Sequence, residues 1–101
     1  MDLEKMMREA QELQKALEKA QDELERVDVN GSSGGGLVEV LMNAQGKIKD
    51  VKIKKEAVNP NDIETLEDLV LSAVRDASSK AFKVSQEKLQ KVTQNKSFPA
   101  F

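Results

Sequence analysis

Four lysines late in the chain, Lys80, Lys83, Lys88 and Lys91, are spaced for one helix face. Wound at 100° per residue, they fall within about 140° of circumference, and only Glu87 interrupts them. Such a ridge of ammonium groups can follow a phosphate backbone, releasing condensed counterions as it binds. The same placement has a structural account. Acids at Asp62, Glu64, Glu67 and Asp68, with lysines toward the other end, complement the dipole of a long helix. A second basic group, Lys5, Arg8, Lys15 and Lys19, is interleaved with Glu4, Glu12 and Glu18 near the start of the chain. Ordinary i to i+4 pairing on a solvated face explains this group first, with phosphate contact as its second reading. A third cluster, Lys47, Lys49, Lys52, Lys54 and Lys55, divides between the two faces of an extended segment. Lysine on an outer strand is a common guard against edge-to-edge association.

Other chemistry has little to work with. The chain contains neither cysteine nor histidine, which removes thiolate and imidazole metal sites, thiol redox and most nucleophile–base pairs. The carboxylates fall mostly on the surfaces of expected helices, with no cleft to perturb them into a general acid or base. We therefore expect no enzyme, metal, cofactor or small-molecule substrate. The three aromatics, Phe82, Phe98 and Phe101, do not alternate with basic residues as base-stacking platforms do. Nucleic-acid contact would thus be directed to the backbone and weakly specific in sequence.

Four of the five glycines lie in Asn30–Gly36, NGSSGGG. A phosphate loop of the Walker type would end in Lys-Ser/Thr and open a helix, whereas this run leads into the apolar LVEVLM. A bend between strands, using glycine for positive φ and close backbone approach, fits better.

These residues need elements to hold them. Leu3, Met6, Ala10, Leu13, Leu17, Ala20, Leu24 and Val27 recur alternately at three and four residues with no Gly or Pro between them, a heptad seam. The periodicity predicts a helix over about 2–26, strands over about 27–31, 37–43 and 47–55, a helix over about 61–93 and a tail over 94–101. Asn43–Gly46 reads as the turn between the second and third strands. Ile48 is out of phase with Val51 and Ile53, which calls for a bulge or a late strand start. Asn61, after Pro60, is the expected cap of the second helix. At 101 residues the chain is one domain, 1–101.

The long second helix, roughly 50 Å, exceeds a compact chain of this size, whose radius of gyration is about 13 Å. It must project, and its far end and the heptad seam need covering. A homodimer is the expected solution. The first ten residues, MDLEKMMREA, are charged throughout, and nothing approaches the ~20 apolar residues of a membrane span. The reading is a soluble cytoplasmic protein with no membrane partner. Net charge is −2, but residues 79–101 hold five lysines against one acid, and residues 59–78 five acids against one arginine.

The helix, then GGGLVEVLMNAQGKIKDVKI, then NP and LEDLVLSAVRDASSKA, in that order, resemble the YbaB/EbfC family of bacterial nucleoid-associated proteins over nearly the whole chain. Arg75 stands where the family usually has Asn, and Ala44-Gln45 departs from its usual Asn-Gly turn. The resemblance implies an α+β protomer of order α-β-β-β-α, with a small antiparallel sheet and two long projecting helices in a tweezer-like dimer. It further implies double-stranded DNA as partner, the nucleoid as location, and effects on nucleoid organisation and gene expression. On that reading Lys80, Lys83, Lys88 and Lys91, with Lys5, Arg8, Lys15 and Lys19, are the candidate DNA contacts. Two long helices about a hairpin also resemble a prefoldin-like coiled-coil chaperone or adapter that grips polypeptides, the alternative from a different class.

Overall fold

The first helix, α1, spans Leu3–Glu25 and starts where the Asp2 carboxylate accepts the Lys5 backbone N–H at 3.2 Å, an N-cap that satisfies one orphan donor of the first turn. The computed structural model describes residues 2–95. Three strands follow, β1 Asp28–Ser33, β2 Val38–Asn43 and β3 Ile48–Ile53; after a 3₁₀ turn at Lys55–Ala57 the second helix, α2, runs over Ile63–Asn95. The strands form an antiparallel sheet in the order β1-β2-β3. The expected α-β-β-β-α order and open antiparallel sheet are what is found.

The strand boundaries carry two instructive differences. β1 runs two residues past Gly31 to Ser33, so the bend shrinks to Gly34–Leu37, with Gly34, Gly35 and Gly36 all at positive φ. Gly31 serves another purpose. It sits inside β1 opposite Val40, and a Cβ there would lie 2.7 Å from that of Ala77 and closer still to the backbone of α2. Absence of a side chain therefore sets how near α2 comes to the sheet. The expected bulge is present as well: Leu41 pairs with Asp50 but Met42 with Ile48, leaving Lys49 as the additional residue.

The β2–β3 turn is fixed by Asn43, which is buried and accepts the backbone N–H groups of Gln45 and Lys47 on Oδ1 at 3.0 and 2.9 Å. The same turn closes the end of α1. Ala44 donates its N–H to the carbonyls of Leu24 and Val27, and the Gln45 amide donates to that of Gln21, so carbonyls that a helix end leaves open find donors. Asp62, rather than Asn61, caps α2: its carboxylate accepts both the N–H and the hydroxyl of Thr65. Asn61 instead donates its N–H to the Asn59 side chain, and that turn delivers Asp62 to the cap position.

The core lies between the sheet and the first two-thirds of α2. Val38 and Val40 are fully buried with Met42 against Ala73, Ala77 and Ala81, one small residue per turn of α2, flanked by Val29, Leu66, Leu69, Val70 and Val74. Small residues at that spacing let the helix axis come close to the strands. The outer edge of β1 is closed by α2: Asp76 accepts the Ser32 N–H at 3.0 Å, Ser33 donates its hydroxyl to the Leu69 carbonyl, and Lys80 donates to the Asn30 carbonyl at 2.9 Å. β3, at the opposite edge, is exposed along its length.

Beyond the sheet α2 continues antiparallel to α1, giving an elongated body of 70 × 22 × 16 Å with a radius of gyration of 19.5 Å. The projection expected from helix length is thus realised. The heptad seam of α1 is covered only at its sheet-proximal end. Only Ala20 and Leu24 are buried; Leu13 and Leu17 are half-buried, and Leu3, Met6 and Met7 are exposed. From residue 96 onward the expected tail, including Phe98 and Phe101, lies outside the described residues, whereas residues 94 and 95 extend α2.

Candidate nucleic-acid interface

Two of the basic groups in the sequence meet where α1 and α2 run side by side. Lys15 and Lys19 from α1 and Lys88 and Lys91 from α2 line one open groove of about 540 Å³, floored by Ala16, Ala20 and Val92 and completed by Glu12 and Glu23. The alanines on α1 recur one turn apart, which keeps the floor shallow and leaves the longer side chains at the rim. Four ammonium groups against two carboxylates make a cationic trough about three helical turns long on α1.

Its charge is partly held within the protein. Lys88 is hydrogen-bonded and ion-paired to Glu23 across the two helices, both side chains remaining more than a third exposed. The Lys88 hydrogen bond first and its charge second hold the Glu23 carboxyl below its usual value against partial desolvation; Lys19 and Arg26 act in the same direction. An ion pair this exposed contributes little to stability.

The remaining candidates sit elsewhere. Lys80 is 3.1 Å from Asp76 while also bonded to the Asn30 carbonyl, so it belongs to the seal on β1. The Ser32 backbone N–H is the main reason the Asp76 carboxyl is depressed, with Lys80 second. Lys83 is exposed on α2 outside the groove, and Lys5 and Arg8 stand on the exposed first turns of α1. Of the strand lysines, Lys49 is paired with Asp28 at 3.1 Å. The ridge of four lysines on α2 is therefore divided by the fold. Its sheet-proximal member is bonded to the edge of β1, and its distal pair joins two lysines of α1. The register of α2 against α1 was the missing information; its trace in the sequence is that Ala16 and Ala20 each directly follow a groove lysine, Lys15 and Lys19.

On its other side α1 carries a different strip, Ala10, Leu13 and Leu17 bordered by Glu18 and Asp22 with no base among them. The two sides of one helix thus differ in sign. Only the groove side suits a polyanion.

A family model described as the YbaB/EbfC DNA-binding family matches residues 1–96. The chain belongs to this family. Relatives of the YbaB/EbfC chain include a nucleoid-associated protein of Saccharopolyspora erythraea, 45% identical over 92 residues, covering 91% of this chain and 79% of the relative. A nucleoid-associated protein of Thermobifida fusca is 41% identical over 98 residues, with 93% and 84% covered. The crystal structure of an uncharacterized Helicobacter pylori protein matches the fold with a TM-score of 0.73 at 22% identity, over 94% of this chain and 96% of that one. Membership of the YbaB/EbfC family sets the chain among DNA-binding proteins, apart from the polypeptide-gripping adapters that two long helices also suggest.

Proposed function

We propose that the chain is a nucleoid-associated protein that grips duplex DNA by its backbone, with Lys15, Lys19, Lys88 and Lys91 as the central phosphate contacts and Lys83, Lys5 and Arg8 extending the track along the arm. The observation that supports this reading is the convergence of four lysines from two helices on one groove, in a chain of a DNA-binding family. With no base-reading module or stacking aromatic in the groove, contact is with phosphate, so binding is weakly sequence-specific. On this reading Lys80 acts in folding.

The working form is a homodimer. Ile48, Val51 and Ile53 of β3 and Leu71 of α2 are each more than 40% exposed. Ile53 and Leu71 line a shallow, mainly apolar depression with Leu66, Val70, Val74 and the one charged residue Glu67. Isolated apolar residues on a surface are ordinary, but a continuous patch of this kind marks an association site. A second copy seated there sets the sheets at the centre and directs the arms outward, so that two cationic grooves address one duplex.

The test is titration of a random-sequence duplex at two salt concentrations, with the protein's mass measured in solution. Replacing the four groove lysines with glutamine is expected to flatten the slope of log K against log salt by up to about 3.6, about 0.9 for each phosphate no longer neutralised. An unchanged slope would refute the site. Val51→Asp with Leu71→Asp is expected to yield monomers; dimers of this variant would refute the interface.

A further inference from the structure

Three ion pairs are formed among the described residues, and two of them take a lysine from the α2 ridge: Lys80 with Asp76 and Lys88 with Glu23. They differ in how firmly each carboxylate is held. Asp76 also accepts the Ser32 backbone N–H, and Lys80 also donates to a backbone carbonyl, so that pair is tied into the sheet on both sides. The side chains of Glu23 and Lys88 have no other hydrogen-bond partners among the described residues. The pair sits in the wall of the groove, at 39% and 38% side-chain exposure. Lys15, Lys19 and Lys91 form no ion pair among the described residues.

We propose that Glu23 is an internal competitor for the phosphates that enter this groove, occupying Lys88 in the free protein and giving way when a duplex backbone arrives. This rests on the DNA-binding reading of the groove. A carboxylate and a phosphate oxygen compete for the same ammonium protons, and a partly solvated ion pair is weak enough to exchange. Displacement leaves Glu23 beside the incoming phosphates, where like charges repel, so each binding event carries a cost that the three unpaired lysines must offset. A single phosphate cannot engage all of them. A duplex, with phosphates closely spaced along it, can, and Glu23 thereby restricts the groove to dense polyanions and keeps binding reversible.

The test compares Glu23→Gln, Lys88→Gln and the double variant in fluorescence anisotropy titrations of a labelled duplex at about 50 and 200 mM salt, conditions chosen for the steep salt response of phosphate contacts. E23Q is expected to bind more tightly than the parent and K88Q more weakly, with the double variant between the two, since it lacks both the Lys88 contact and the Glu23 repulsion. E23Q leaves the bound groove one unit more positive, which steepens the salt slope by up to about 0.9, so its advantage at the lower salt should shrink by up to about 3.5-fold at the higher. A merely structural link between the helices predicts another pattern, because both single variants break the same link. They would then move affinity in the same direction, and that result, or an E23Q variant no tighter than the parent, overturns the proposal. Failure of the groove reading is recognised separately: a Lys15→Gln, Lys19→Gln, Lys91→Gln variant that binds like the parent overturns the site, and the competitor with it. If that variant weakens binding while E23Q does not tighten it, only the competitor is overturned.

Discussion

Where α2 crosses the sheet, Ala73 and Ala77 are sealed against Gly31, Val38 and Val40. Where it runs beside α1, charged side chains line the seam, and alanines and a valine form an open floor. The first region excludes water and fixes a distance between backbones. The second leaves a groove whose charged groups keep their solvent and can exchange partners. One helix thus anchors the fold with its first two-thirds and presents charge with the remainder. Sealing and binding need opposite degrees of burial, because a lysine enclosed in the core would have to give up its charge or its freedom to meet a phosphate.

The contrast is best challenged at Gly31. Gly31→Val places a branched side chain against the backbone of α2, and overpacking of this kind costs about 3 kcal/mol or more; thermal unfolding followed by circular dichroism should show a broad loss of structure. Next comes Val40→Ala, which empties part of a fully buried site at about 2 kcal/mol by removal of two methyl groups, read in urea unfolding. Its counterpart on the arm, Ala16→Ser at the groove floor, should leave the unfolding midpoint nearly unchanged. A midpoint shift as large as that of V40A would mean that the arm is as tightly packed as the sheet.

A smaller effect should follow from pH. The Asp76 carboxyl is depressed from its ordinary value of 3.8. A depressed acid contributes stability above its unfolded-state value and loses it as pH falls through the lower folded-state value. Stability should therefore decline below about pH 4, and Asp76→Asn should blunt that decline. Glu23 is depressed too, but E23Q should alter the acid limb less than D76N, since the pair it breaks lies on the arm and holds no strand edge. An equal effect of the two variants would erase the distinction between a sealed end and an open one. Least affected of all should be Lys83→Gln, with no stability change and only a small weakening of duplex binding at low salt.

Much of this molecule was legible in its sequence. Uninterrupted 3.6-residue periodicity marks both helices, alternating apolar residues mark β2, and the phase slip at Ile48 locates the bulge at Lys49, because local backbone geometry is set by neighbours in the chain. Local reading erred where two neighbouring polar residues could each cap the same helix. Asn61 is as plausible a cap as Asp62, and only the turn at Asn59 decides between them. It also placed Gly31 beside the bend glycines, although the reason for that glycine is the α2 backbone, more than forty residues away.

The lysines show the division most clearly. Their type and spacing determined, from the sequence alone, that one face of α2 carries positive charge, since that depends only on helical period. Whether a given ammonium group closes a strand edge, pairs with Glu23 or stands open in a groove was decided by the angle at which α2 crosses the sheet and by its register against α1. Both follow from the close approach at Gly31 and the small residues of α2. Packing of this kind joins side chains distant in sequence, and so only the tertiary structure could turn Lys80 into part of the fold and bring Lys15, Lys19, Lys88 and Lys91 together.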